Sequence, residues 1–168
     1  MREASLLASL GWHPSLRWGL AFAAGAVLGG TLTTEDGAAH DVTPGIAASV
    51  SGSLLALTET SLRPFLLFGL SVAASQARTD GQADLSAVDV RASGLVGKTF
   101  FDAFTPYGVA RGFTGPVRWD RLEGSGADAH HFAIGLGATL RLPSGLDVVV
   151  EGIPLGERSV TFGAGLAF

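Results

Sequence analysis

Val160-Thr161-Phe162-Gly163-Ala164-Gly165-Leu166-Ala167-Phe168 carries an apolar residue at every second position and a small one between. A β-strand sends successive side chains to opposite faces. This stretch therefore has one face of Val160, Phe162, Ala164, Leu166 and Phe168, and another of Ser159, Thr161, Gly163, Gly165 and Ala167. A soluble sandwich also alternates, but its second face carries long charged residues for water. Gly, Ala, Ser and Thr suit a narrow enclosed space instead, which is the inner side of a small barrel whose outer side is apolar.

The same alternation recurs up the chain. Phe132, Ile134, Leu136, Ala138, Leu140 and Leu142 oppose Ala133, Gly135, Gly137, Thr139 and Arg141. Trp18 to Leu28, Ile46 to Leu54, Leu66 to Val72, Val88 to Val96 and Leu146 to Ile153 repeat it with more noise. Between Tyr107 and Trp119 the large residues Tyr107, Val109, Phe113, Val117 and Trp119 are assigned to the outer face, which strands Arg111 among them; a bulge near Gly112 would turn it inward.

Composition agrees. Of 168 residues 47% are hydrophobic and only 15% charged, and glycine occurs 24 times without a collagen period. A spanning helix needs about 20 consecutive apolar residues; the best run, Trp18 to Gly30, is too short and is interrupted by glycine. Cysteine is absent, which excludes disulfide and thiolate chemistry. The net charge of −4, with Lys98 the single lysine, gives no surface for nucleic acid.

Connections alternate between short (His13 to Ser15, Thr58 to Arg63, Asp102 to Pro106, Pro143 to Gly145) and longer, more acidic (Leu32 to Thr43, Thr79 to Ser86, Asp120 to Ala129). Outer-membrane barrels have short periplasmic turns and longer outer loops. Trp12, Trp18, Phe65, Phe100, Phe101, Phe104, Tyr107 and Phe168 lie beside the short turns, as an interfacial girdle would. The expectation is a single all-β domain over 1–168: an antiparallel up-and-down transmembrane barrel of about eight strands from Arg17 onward, or ten with a truncated start. Residues 1–12 are an extra strand or a periplasmic segment; the exporting leader, and with ten strands the first strand, would then lie ahead of residue 1.

The closing nonapeptide resembles the C-terminal assembly signal of outer-membrane proteins, and the run from Asp147 to Gly156 with Glu157-Arg158 resembles small OmpA/OmpX-like barrels. The resemblance implies that Phe162, Leu166 and Phe168 are read by the barrel-assembly machinery. It implies a monomer in the outer membrane, in contact with lipid and lipopolysaccharide.

Charged residues on the small-residue face are the candidate site: Arg17, Asp89, Arg91, Arg141, Asp147 and Glu151. Charges in a narrow interior must be paired, so these form either a salt-bridge plug or the lining of a narrow polar path. Asp128, His130 and His131 are weak candidates for a divalent cation. Together with Ser125 they are also weak candidates for a hydrolase-like constellation. No P-loop, HExxH, GxSxG or dinucleotide motif occurs. The expectation is a non-enzymatic, cofactor-free barrel with a structural or surface-interaction role, the alternatives being a porin-like narrow channel and, last, a lipid-modifying enzyme.

Overall fold

A computed structural model of the protein describes residues 2–33, 37–79, 83–119, 125–127, 131–156 and 158–166. Among these there is no helix. The strands are β1 (Arg2–Trp12), β2 (Trp18–Thr33), β3 (Ala39–Val42), β4 (Gly45–Leu57), β5 (Phe65–Thr79), β6 (Ala83–Gly97), β7 (Phe104–Thr114), β8 (Pro116–Trp119), β9 (Ser125–Ala127), β10 (Phe132–Arg141), β11 (Leu146–Leu155) and β12 (Ser159–Leu166). All belong to one sheet and every ladder is antiparallel.

From Trp18 onward the described strands make eight passes along the sheet, the number expected from Arg17 onward, and β1 adds a ninth. β3 and β4 are one crossing, broken at Thr43-Pro44, and both lie between β2 and β5. β7 and β8 both pair with β6, while β10 and β9 pair with β7 and β8 respectively. β1 is a full member of the wall, paired with β2 from Arg2↔Thr31 to Trp12↔Leu20, not a detached periplasmic segment. The longer connections also shrink: β3, the start of β6 and β9 occupy stretches that composition marks as loop.

Turn chemistry sets the short connections. Leu142 N–H donates to Leu146 O at 2.8 Å, and Gly145, at φ 80°, supplies the left-handed position that closes the hairpin. The next short turn holds Phe101 and Asp102 at positive φ between the bridged pair Phe100 and Phe104.

The sheet curls into a barrel-like wall. The rings of His40 on β3 and Trp119 on β8 meet with centroids 4.7 Å apart, although β5 and β6 lie between those strands in the sheet. Trp119 Nε1–H donates to Thr79 Oγ1 on β5 at 2.5 Å. Side chains from non-adjacent strands converge only on a concave face. That face holds the buried residues: Val27, Val42, Ala77, Thr79, Ala83, Leu85 and Trp119 toward the rim of the longer connections, and Phe113, Ala133 and Ile153 beside them. The convex face is apolar and exposed, from Leu6 and Leu10 on β1 to Val160, Phe162 and Leu166 on β12.

One facing is the reverse of the expectation. On β7 the residues Tyr107, Val109, Arg111 and Phe113 all point inward, Val109 and Phe113 being buried, while Ala110, Gly112 and Thr114 are exposed. On β8, Val117 and Trp119 are likewise inside. Arg111 therefore needs no bulge, because it shares the inner face with its i±2 neighbours. Sorting by size misleads here because the opposite inner wall is built of very small residues. Ser49, Ser51 and Ser53 on β4 stand beside Ala21 and Ala23 on β2 and Ser71 and Ala73 on β5, leaving room that only large side chains from the far half can fill.

Candidate functional site

The six expected interior charges do not form one cluster. Asp89 and Arg91 lie two residues apart on the inner face of β6, and Arg91 Nη2 meets Asp89 Oδ2 at 2.8 Å. Arg91 also sits 5.2 Å from the centre of the Phe113 ring, its cross-strand neighbour on β7. Both charges are about three-quarters covered. Asp89 Oδ1 is buried and accepts no hydrogen bond among the described residues.

Arg141 and Asp147 are cross-strand partners beside the Pro143–Gly145 turn. They form a two-pronged pair, Nε to Oδ1 at 2.8 Å and Nη2 to Oδ2 at 2.9 Å. The Arg141 side chain is largely exposed, so this pair closes a hairpin at the rim of the short turns and does not belong to the interior. Arg17 is also outside. It is exposed, precedes β2, and its carbonyl accepts a hydrogen bond from Leu55 N–H at 2.6 Å. The turn from His13 ends one residue later than alternation suggests, and Ser15 Oγ accepts from the N–H groups of Arg17 and Trp18.

Glu151 is inside, 7% exposed, and its partners are two residues absent from the expected set. Arg111 Nη2 reaches its Oε1 at 2.7 Å and Tyr107 O–H donates to its Oε2 at 3.2 Å. Both come from β7, whereas Glu151 is on β11, with β10 between. The crossing is possible because Tyr107, Gly137 and Glu151 form one lateral row, Tyr107↔Gly137↔Glu151. A Cβ at Gly137 would collide with the Tyr107 ring, so the ring lies over the bare backbone of β10. The clue in the sequence was Arg111 itself: a lone arginine on a nominally greasy face is best explained by reversing that face.

The rim of the short turns is tied by polar links between neighbouring turns. Thr99 N–H donates to Glu59 Oε1 at 2.8 Å, and Lys98 Nζ donates to Ser61 O. At the opposite rim the outer face becomes polar, with Arg78 paired to Asp84 at 3.1 Å between β5 and β6.

The weak candidates gain little. Asp128 and His130 lie outside the described residues, as does Phe168 of the expected assembly signal; Phe162 and Leu166 are exposed on the convex face of β12. His131 is exposed, with Nδ1 3.3 Å from Phe113 O. Among the described residues no group of three His, Asp or Glu side chains could hold a metal ion. The arrangement inside is one of paired and covered charges, which can fix the barrel's cross-section.

A scan against protein-family models finds no match. A search of curated proteins also finds none.

Proposed function

We propose that the protein is an outer-membrane β-barrel with a structural or surface-interaction role, its interior filled by side chains and its longer connections presented to the outside. The observation that carries this reading is the convex face. Phe22, Phe68, Leu70, Val72, Val90, Ile134, Leu136, Val150, Val160 and Phe162 are all exposed there, on strand after strand. A soluble monomer rarely exposes a contiguous apolar patch larger than a few hundred Å². On β5 the band runs from Leu66 to Ala74 before Gln76 and Arg78 end it. That is about 27 Å of strand, or about 20 Å once tilted, close to the ~25 Å apolar band of membrane barrels.

Two further features support a filled interior over a channel. Glu151 is paired with Arg111 and Tyr107, and Asp89 with Arg91. Beneath the longer connections Trp119, Leu85 and Val42 pack into one buried apolar cluster. Outer-membrane lipid, lipopolysaccharide and the barrel-assembly machinery are the partners this reading implies, with a monomer as the unit.

The test uses the absence of cysteine. Single cysteines at Leu70, Leu136 and Val150, and in parallel at Ser51, Ala73 and Gly135, are labelled with a fluorophore after refolding into vesicles. Brominated acyl chains should quench the first set and spare the second; equal quenching of both sets, or of neither, defeats the reading. Planar-bilayer recordings complete it, since a filled barrel gives no steady openings and a narrow channel does.

A further inference from the structure

The two ends of the strand order are unfinished. β1 has a ladder only to β2 and β12 only to β11, and among the described residues no ladder joins β1 to β12. Their inward residues are uncovered too. Leu7, which pairs with Gly25 on the inner face, is 48% exposed. Thr161, Gly163 and Gly165 share the inner face with Glu151, yet all three are exposed, although Glu151 beside them is buried. Each edge therefore presents a row of unpaired backbone N–H and C=O groups.

Strand direction decides what fits between them. β1 starts where Arg2 pairs with Thr31, at the rim of the longer connections, and ends at Trp12 beside a short turn. β12 starts where Ser159 pairs with Ile153 and ends where Leu166 pairs with Leu146, beside the Pro143–Gly145 turn. Both run from the long-connection rim to the short-turn rim, as the first and ninth members of an alternating series must. A direct seam would be the sheet's one parallel ladder. Two copies inserted in the same orientation do no better: β1 of one meets either edge of the other in parallel. A single strand running the opposite way is antiparallel to both edges at once.

We propose that the gap between β1 and β12 is a slot for one additional β-strand that runs opposite to both edges and alternates apolar with small residues. Such a strand ends at the long-connection rim, where β1 begins, so a tight turn is enough to join a test strand to it. Its length is set by its neighbours at about ten residues, the span of a membrane strand. Its outward positions continue the row of Leu6, Ala8 and Leu10 and of Val160, Phe162 and Ala164, and are apolar. Its inward positions face Ser5, Ser9, Gly163 and Gly165, and are small or polar. The proposal rests on strand directions and unpaired edges, so it stands or falls separately from the membrane reading.

The test compares residues 1–168 with two extended proteins. One is preceded by a ten-residue alternating strand and an Asn-Gly turn, the other by the same residues in non-alternating order. Amide exchange of β1 and β12 is followed in detergent micelles. The alternating extension should slow the edge amides by about tenfold or more, in line with a newly made ladder, and the scrambled one should not. A cysteine on the added strand should cross-link to either Leu6→Cys or Phe162→Cys. The Leu6→Cys, Phe162→Cys pair without the extension should form no direct disulfide, because edges about 9.5 Å apart exceed the ~7 Å Cα reach of the bond. If 1–168 alone fails to fold and the alternating extension rescues it, the slot is supported as well. Direct disulfide formation, dimerisation through the edges, slow exchange at both edges without extension, or equal effects of the two extensions would overturn it.

Discussion

Arg111 and Glu151 stand on strands that are not neighbours, yet their side chains meet at 2.7 Å inside the wall. The pair bridges β7 to β11 over β10 and ties three strands without any backbone bond. Its partners are 20% and 8% exposed, so neither charge is well solvated. Removing one partner leaves the other buried and alone, which costs about 3–5 kcal/mol, whereas removing both together is often close to neutral. Glu151→Ala should lower unfolding stability in detergent by that amount. The double variant Arg111→Met, Glu151→Leu should recover most of the loss, and urea titrations of the wild type, both single variants and the double variant check it.

Gly137 and Tyr107 make a second cycle. The ring of Tyr107 occupies the space a side chain at Gly137 would need. Gly137→Ala forces the ring aside and breaks the Tyr107 to Glu151 hydrogen bond, an overpacking cost of about 1–3 kcal/mol. Tyr107→Ala in the same molecule should relieve most of that penalty. Additive losses in the two single variants and the double variant would show that ring and glycine do not interact.

Both cycles involve residues whose roles were hidden in the sequence, and the reason is physical. Alternation reports that two faces differ, and it located nearly every strand, including Ser5 to Trp12 and the last hairpin. It does not say which face is inside. On β10 and β12 the apolar face is outside, and the small-residue face turned inward as expected. On β7 both faces are uncharged apart from Arg111, and size pointed the wrong way: the smaller face is outside because Ser49, Ser51, Ala21 and Ala23 across the interior are smaller still. Pairing was equally invisible. Asp89 with Arg91 and Arg141 with Asp147 could be guessed from spacing, but Glu151 finds its partners across a strand, through a glycine that looked like ordinary barrel filling. Arg17 failed for a local reason, since Ser15 holds the turn closed for one residue more.

Trp119 gives a spectroscopic prediction. Trp12 and Trp18 are exposed, whereas Trp119 is buried, with its N–H held by Thr79 Oγ1. Trp119→Phe should therefore remove the emission that is shielded from aqueous and lipid-borne quenchers alike, leaving that of Trp12 and Trp18. Thr79→Val keeps the shape of the site but removes the hydroxyl that accepts from the indole N–H, which costs about 1–3 kcal/mol. Fluorescence-detected unfolding of Thr79→Val should show this loss while the folded protein keeps the shielded emission.

The outer face gives a prediction that separates lipid from water. Leu136 is 69% exposed in the middle of β10, and Gln76 is exposed on the outer face of β5 where the apolar band ends. Arginine near the middle of a bilayer costs a barrel about 2–4 kcal/mol, falling to about 0–1 near the interface. Leu136→Arg should then lower stability in vesicles by that larger amount and Gln76→Arg by the smaller. On a wall facing water both would stay within about 0.5 kcal/mol of wild type, because neither side chain touches the interior. Reversible unfolding in vesicles measures both variants against the same reference. Equal, negligible losses would remove the bilayer from the environment of this face, while the ion pairs inside would be unaffected.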